Sequence, residues 1–508
     1  MNYDWIKTRA QFDEEKPAVI DPLKGTEWTY QELNIRAENL ANHLQEQGVK
    51  RGDVVGIFAP NDVSILDLLF ASFKIGAVYF PMNWRLKPNE IESVIEDSNI
   101  KMIFYSTRHL SSLQGIADEY LHLDIDSKEY DEIVDPKNHR PFESVDVGQD
   151  DLASLMYTSG TTGLPKGVMF TYESFTTNAV NTILTYKVNA DFSTIVSLPM
   201  FHVFGFNDLT IPLLMAGGTI VLHRYFEGEQ LNDLMKKYQP NYLTLIPTMY
   251  YAMLVAPNFD MKSFENIDFL VQGGSAPLPG VQKKFQSMGL NLINGYGLTE
   301  APLALVNTPT NAVKKPMSIG KPVMYVNVRI YNDDYEEVGV GEIGELAIKG
   351  KQVTPGYWNK PEATEKNFKD GYFLTGDLAR VDEDGDIYIV DRKKEMIITG
   401  GENVLPSEVE AVLASHPLVA QGVVVGFESE KFGESVSAAV LLSEDDPDYE
   451  EKLDKHMKEH LAGYKVPKMY LKVTKMPLTS TSKPDKLEIQ KMMNKKAKQN
   501  NKEKEEEE

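Results

Sequence analysis

Apolar and polar positions along the chain form blocks whose period changes several times. Thr29-Tyr30-Gln31-Glu32 has the form of a capping box. Behind it Leu33, Ala37, Leu40, Ala41 and Leu44 recur at helical spacing, and Gly48 stands where the helix should stop. An apolar run at 54–59, a mostly apolar stretch at 63–76 and another run at 78–80 then predict strand, helix and strand. The right-handed crossover expected of such a βαβ unit implies a largely parallel sheet. Residues 99–147 are more polar, with 101–105 reading as a strand and 124–139 as loop.

Runs at 152–157, 194–198, 219–222 and 242–246 predict buried strands between helices, a second α/β unit over about 152–300. From 320 to 390 the pattern shifts to short strands at close spacing, 327–331 and 345–349 among them, separated by Gly, Asp and Pro. That predicts a small antiparallel, β-barrel-like unit. Beyond the charged run Asp391-Arg392-Lys393-Lys394 come a helix (407–415), strands (419–426, 436–442), a helix (449–461) and a strand (470–473). This is an α/β domain of about 100 residues. Lys, Asn, Gln and Glu dominate 494–508, the composition of a disordered tail.

With 508 residues the chain exceeds what one core supports, and 42% hydrophobic content is ample for packing. Its 52 basic and 75 acidic residues leave a formal net charge of −23, which argues against nucleic acid or an anionic membrane as a bulk partner. An anionic ligand must be held by a local cluster of donors. The chain has no cysteine, so it forms no disulfide and carries no acyl group on a thiol of its own. Residues 1–17 lack the apolar core of a secretory signal. The longest uncharged apolar run, 209–222, contains Pro212, Gly217 and Gly218 and falls short of the roughly 18 to 20 residues that span a bilayer. A soluble cytoplasmic protein without a transmembrane segment is expected.

One short stretch, Tyr157-Thr158-Ser159-Gly160-Thr161-Thr162-Gly163-Leu164-Pro165-Lys166-Gly167, packs three glycines, four aliphatic hydroxyls and a lysine behind the 152–157 strand. Glycines let backbone N–H groups approach an anion, hydroxyls add hydrogen bonds or reach a metal, and lysine supplies a point charge. The composition suits phosphate, although a flexible surface turn accounts for the same letters. It is not a Walker A loop, since Pro165 precedes Lys166 and Gly167 follows it. The formal GxGxxG at Gly339-Val340-Gly341-Glu342-Ile343-Gly344 leads into strand-like Glu345-Leu346-Ala347-Ile348 rather than a helix, and reads as a hairpin turn.

Residues 157–169, taken in order with Gly295-Tyr296-Gly297-Leu298-Thr299-Glu300, Thr375-Gly376-Asp377 and Asp391-Arg392-Lys393-Lys394, resemble the adenylate-forming superfamily of acyl-CoA synthetases, peptide-synthetase adenylation domains and luciferases. The motifs run from about 152 to 483, and the pattern before them fits as well. The resemblance implies an N-terminal AMP-binding domain at 1–391, a hinge at 392–394 with Lys394 at its pivot, and a small mobile C-terminal domain at 395–493, before the tail at 494–508.

By this resemblance Thr158, Ser159, Gly160, Thr161, Thr162, Gly163 and Lys166 hold the β- and γ-phosphates of ATP. Thr299 contacts the α-phosphate, and Glu300 with Thr162 holds Mg2+. Gly273-Gly274-Ser275-Ala276-Pro277 lies along the adenine and the acyl pocket, Tyr296 stacks on the base beside Gly297, and Asp377 and Arg392 bind the ribose. His202 and Phe204 line or gate the acyl pocket. Lys483 neutralises charge as the adenylate forms, though Ser482 stands where the family usually has glycine. Gly400 and Gly401 leave room for the pantetheine arm of coenzyme A. From the residues alone, Thr299-Glu300 is also a helix start, Tyr296 a core tyrosine, Asp377 a turn aspartate, His202 a core histidine, and Gly400-Gly401 a turn.

The expected activity is that of an ATP-dependent acyl-CoA synthetase, with ATP, Mg2+ and coenzyme A as cofactor and co-substrates. A medium- or long-chain fatty acid is the first expectation for the acid and an aryl acid the second, because 301–306 and the letters around His202 carry no cation. Transfer to a carrier-protein thiol, a luciferase-type oxygenase and a non-catalytic nucleotide- or acyl-binding relative remain open. A homodimer is the assembly allowed for.

Overall fold

Thr29 caps the helix Tyr30–Glu46 as its letters require: its side chain accepts from the Glu32 N–H, and Glu32 accepts in return from the Thr29 N–H. The helix buries Leu33, Ala37, Leu40, Ala41 and Leu44. In the computed structural model, residues 3–113, 120–158, 165–429, 432–479 and 484–507 are described. They divide into two compact units. The first comprises Met1–Arg329, Ala347–Thr375 and Asp384–Ile387, and the second Ile330–Leu346, Gly376–Glu383 and Tyr388–Glu508. The segments 330–346 and 376–383 therefore group with the C-terminal unit, although both lie before residue 391.

The first unit holds two sheets. One is six-stranded, in the order Leu121–Asp124, Ile100–Tyr105, Val54–Phe58, Val78–Pro81, Leu152–Thr158 and Lys166–Thr171. Its first five strands run parallel, and the last pairs antiparallel with Leu152–Thr158. The parallel strands are nearly continuous apolar runs because helices cover the sheet. Val63–Ile75, buried along its whole length, is one such helix, and Gly76 ends it in the left-handed conformation. The second sheet has nine strands. It is parallel from Pro17–Asp21 through Thr219–Leu222, Ser193–Val196, Tyr242–Leu245 and Phe269–Gln272 to Leu292–Leu298, with antiparallel strands at both edges.

In the second unit, Val419–Ser429 and Gly433–Leu442 form a long hairpin, to which Ile397–Thr399, Glu402–Val404 and Met469–Lys472 add. Strand alternation sorts its side chains onto two faces. Val424, Ala438 and Val440 meet Val409, Leu413, Leu453 and Met457 of the helices Pro406–Ala414 and Tyr449–His460 on one face. Val423, Val425 and Ala439 meet Ile489 and Met493 on the other.

Two stretches differ from the sequence expectation. Within 124–139, expected as loop, Lys128–Val134 is a helix capped by Ser127, whose Tyr130 is buried and donates to Asp67. The expected tail is helical instead, since Lys486–Glu507 continues through Asn494. Asn494 accepts from the Glu428 N–H, Lys496 donates to the Tyr470 carbonyl, and Ala497 packs on the sheet's second core. Among the described residues no helix is long and apolar enough to cross a membrane.

Candidate active site

The strands on either side of the glycine- and hydroxyl-rich stretch, Leu152–Thr158 and Lys166–Thr171, pair antiparallel. Thr158 pairs with Lys166 and Tyr157 with Gly167. Ser159, Gly160, Thr161, Thr162 and Gly163 lie outside the described residues, as do Ser482 and Lys483. A third segment runs along this pair of strands. Val168 bridges Tyr357 antiparallel, Trp358 donates its N–H to the Gly167 carbonyl at 2.8 Å, and Met169 donates to the Gly356 carbonyl. Gly356 has φ +147°, and a Cβ there would come within 2.4 Å of Thr364 Cγ2, so no side chain fits.

Thr299 and Glu300 occupy the turn between the antiparallel strands Leu292–Leu298 and Ala301–Val306, which rules out the helix-start reading. Glu300 is half-buried. Its Oε1 accepts from Tyr357 Oη at 2.7 Å, and its carbonyl accepts from the Thr354 N–H at 2.8 Å. Lys166 Nζ lies 5.0 Å from the centre of the Tyr357 ring, within cation–π range. Tyr357 thus touches both the lysine at the base of the loop and the carboxylate assigned to the metal. Burial, and then the Glu300 carboxylate, hold its hydroxyl well above the usual tyrosine range. The Glu300 carboxylate is an oxygen donor of the kind a hard cation such as Mg2+ takes.

Tyr157 is tied down beside this group. Its hydroxyl donates to Asp97 Oδ2 at 2.8 Å, Lys360 donates to Asp97 Oδ1 at 2.5 Å, and Trp358 Nε1 donates to the Asp97 carbonyl. Sequence reading missed Tyr357 and Asp97. The available signal was Pro355-Gly356-Tyr357-Trp358, a glycine and two aromatic residues in an otherwise polar stretch.

Gly273 and Gly274 follow the strand Phe269–Gln272. An added Cβ at Gly273 would stand 2.7 Å from the Gly295 carbonyl oxygen and 3.1 Å from Phe204 Cζ. Gly274 has φ +73°, and its Cβ position lies 3.6 Å from Phe204 Cδ1. The structure therefore brings Phe204, Gly273, Gly274 and Gly295 together. Ser275 and Ala276 are exposed on the loop that follows, and Pro277, Tyr296 and Gly297 are half-buried.

His202 caps the short helix Val203–Gly205, its Nδ1 accepting from the Phe204 N–H. The loop before it is clamped by buried Asn61, which donates to the Val196, Leu198 and His223 carbonyls and accepts from the Met200 N–H. The chain then passes through a π-helical turn, Phe206–Thr210, that buries Asp208. Such turns recur at functional sites. Burial pushes the Asp208 carboxyl up to about 7, against hydrogen bonds from Asn178 and the Leu303 N–H.

In the second unit, Asp377 lies buried within the strand Tyr372–Val381 and not in a turn. Its Oδ1 pairs with Arg392 Nε at 2.5 Å. Gly376 before it has φ +71°, and its N–H donates to Glu345. Asp391 accepts from the Ser407 N–H, anchoring the first helix of the C-terminal sheet. Exposed Lys394 sits in the short turn Lys393–Glu395. Gly400 and Gly401, at φ +60° and +87°, form the tip between Ile397–Thr399 and Glu402–Val404.

A family model described as AMP-binding enzyme matches residues 6–358, and one described as AMP-binding enzyme C-terminal domain matches 408–483. A feruloyl-CoA synthase from an Amycolatopsis species is 35% identical over 481 residues, covering 94% of this chain and 96% of that protein. The long-chain-fatty-acid–CoA ligase FadD13 of Mycobacterium tuberculosis is 30% identical over 494 residues, covering 95% and 96%. The o-succinylbenzoate coenzyme A synthetase of Bacillus subtilis in complex with ATP and magnesium ion has a similar fold. Its TM-score is 0.82 at 27% identity, covering 95% of this chain and 98% of that one. The chain therefore belongs to the adenylate-forming AMP-binding enzymes, within their AMP-forming acid–thiol ligases, which use ATP, Mg2+ and coenzyme A.

Proposed function

We propose that this ligase activates a carboxylic acid with an apolar tail, a medium- or long-chain fatty acid in the first reading. The observation that carries it is the packing of Phe204 over Gly273 and Gly274: an aromatic wall faces a strip of backbone without side chains. The flanking residues 301–306 carry no charge to meet an acidic or basic tail. An aryl acid is the second reading. It is favoured by the feruloyl-CoA synthase relative and by the same aromatic wall, which suits ring stacking.

A carboxylate oxygen of the acid attacks the α-phosphorus of ATP, the bond to the bridging oxygen breaks, and pyrophosphate leaves. The thiol sulfur of coenzyme A then attacks the acyl carbon, AMP departs with the electrons of the C–O bond, and the thiol proton passes to solvent. The thiol comes from outside because the chain has none. Glu300 with Thr162 would hold Mg2+, which would supply charge neutralisation on the phosphates. Thr158 to Gly163 and Lys166 hold the β- and γ-phosphates, Thr299 the α-phosphate, Tyr296 the base, and Asp377 with Arg392 the ribose. Lys483 serves the adenylation step and Gly400-Gly401 the thioester step, with Lys394 as the pivot between the two states. A cytoplasmic setting fits the absence of cysteine, and the assembly proposed is a homodimer.

Carboxylate-dependent ATP–pyrophosphate exchange, followed by coenzyme A-dependent AMP release over a panel of alkyl and aryl acids, tests this reading. Exchange without any AMP release on adding coenzyme A would point to a carrier-protein acceptor. No exchange with any acid would point to a binding protein.

A further inference from the structure

Tyr357 ends a segment that the fold holds with unusual thoroughness. Its N–H donates to Thr364 Oγ1 at 2.9 Å, and it bridges Val168. Thr354, three residues earlier, donates its hydroxyl to the Met169 carbonyl and its N–H to the Glu300 carbonyl. Trp358 and Lys360, just after, are fastened to Asp97. The ring is therefore fixed relative to both the 166–171 strand and the 299–300 turn. It is 6% exposed, and it directs its only polar atom at the side chain of Glu300.

A tyrosine that served packing alone could satisfy its hydroxyl with a backbone carbonyl, as buried Tyr250 does with the Leu243 and Val271 carbonyls. Tyr357 instead engages a half-buried carboxylate, 57 residues away in sequence, with its edge, and offers its face to the Lys166 ammonium. These two side chains of opposite charge are the ones assigned above to the metal and to the phosphates.

We propose that Tyr357 is a positioning residue for adenylation. By holding one carboxylate oxygen of Glu300 with its hydroxyl and the Lys166 ammonium against its ring, it sets the metal carboxylate and the phosphate lysine at a fixed separation before ATP arrives. The inference rests on the roles given above to Glu300 and Lys166. Both groups sit on a turn or a strand end, where an untethered long side chain keeps rotamer freedom that must be lost when it is fixed. A partner that orients a metal ligand typically contributes 10- to 100-fold in metal affinity.

The experiment uses the full chain and Mn2+ as the probe, its binding followed by electron paramagnetic resonance in the presence of ATP. Alongside it, the Mg2+ dependence of pyrophosphate exchange is measured. Tyr357→Phe keeps the ring for Lys166 and removes the bond to Glu300. It is expected to weaken Mn2+ binding by about 10-fold and to raise the Mg2+ needed for half-maximal exchange by the same factor, with a smaller effect on kcat at saturating Mg2+. Glu300→Gln is expected to weaken Mn2+ at least as much, and adding Tyr357→Phe to it should cost little more, because the two act through one bond. If Glu300→Gln weakens Mn2+ and Tyr357→Phe does not, the positioning role is overturned while the assignment of Glu300 stands. If neither variant alters Mn2+ binding, the metal role of Glu300 falls and the inference with it.

Discussion

Asn178 and Asp208 are joined deep inside the first unit: the Asn178 amide donates to Asp208 Oδ1 at 2.8 Å, and it also donates to the Asn207 carbonyl. Both side chains are buried, and among the described residues no cation neutralises the carboxylate. Burial therefore dominates and raises the Asp208 carboxyl from its ordinary value of 3.8 to about 7. The other titratable groups that feel it, Tyr186 and Tyr242, are neutral phenols held well above their usual range by burial.

The sign of the linkage follows from that upward shift. Below the unfolded value of 3.8 both states hold the proton, and the group's contribution to stability is complete. As pH rises toward about 7 the unfolded chain has released its proton while the native protein keeps it, so stability falls, and above about 7 the loss levels off. The loss is on the order of a few kcal/mol. Asp208→Asn, which carries no proton to lose, should flatten that part of the profile. Urea midpoints of wild type and variant between pH 5 and 8 check this, and parallel profiles would contradict it.

Gly273 is required by its neighbours. A methyl group there meets the Gly295 carbonyl oxygen at 2.7 Å, a backbone atom that cannot swing aside, and presses on Phe204. Gly273→Ala should destabilise the first unit by about 1–3 kcal/mol through overpacking. It should also shift acid preference, because the added methyl presses on Phe204, the aromatic residue assigned to the acyl pocket. Gly280, in the helix Pro279–Ser287, has nothing within 4 Å of a built Cβ. Gly280→Ala should be neutral or stabilise by about 0.5–1 kcal/mol. Thermal unfolding of the two variants side by side, with the acid panel repeated on Gly273→Ala, decides the matter; equal effects would remove the argument from close approach.

The strands were legible because buried parallel strands are written as apolar runs. Val54–Phe58 and Tyr242–Leu245 could be read directly from such letters. Lys128–Val134 was not, since seven mostly polar residues carry too little periodicity, and its stability comes from Tyr130 reaching Asp67 across 63 positions. Only 494–508, the charged later part of the terminal helix, was read as a tail, yet Ala497 continues the four-residue spacing of Ile489 and Met493 and packs with them on the sheet. In the site, the motifs named Glu300, Lys166, Gly273 and Asp377, but not what fixes them. Asn61, Asp97 and Tyr357 act through contacts 57 or more residues distant, and no local spacing encodes those.

Asp377 and Arg392 form an ion pair in which the carboxylate is buried and the guanidinium nearly half exposed, so the arginine can turn to a ligand while the aspartate stays fixed. Asp377→Ala leaves Arg392 without its partner and removes the acceptor assigned to the ribose. ATP affinity should fall by about 10- to 100-fold, the equivalent of one or two charged hydrogen bonds. Binding of a fluorescent ATP analogue measures it, and wild-type affinity would exclude Asp377 from the nucleotide site.

The two half-reactions should respond to different residues. Lys483 is assigned to charge that develops only as the acid meets the α-phosphate, so Lys483→Ala should abolish pyrophosphate exchange, a loss of 100-fold or more of the kind seen when a preorganised charge is removed from a transition state. The same variant should still convert supplied acyl-adenylate and coenzyme A to thioester, because that step has no phosphate charge left to neutralise. Gly401 has φ +87° at a hairpin tip, a conformation in which a β-branched residue is strained by about 1–2 kcal/mol. Gly401→Val should therefore slow thioester formation and spare exchange. Measuring both half-reactions on both variants gives four rates. The crossed pattern is the expected one, whereas a Lys483→Ala enzyme with normal exchange would refute the assignment of that lysine.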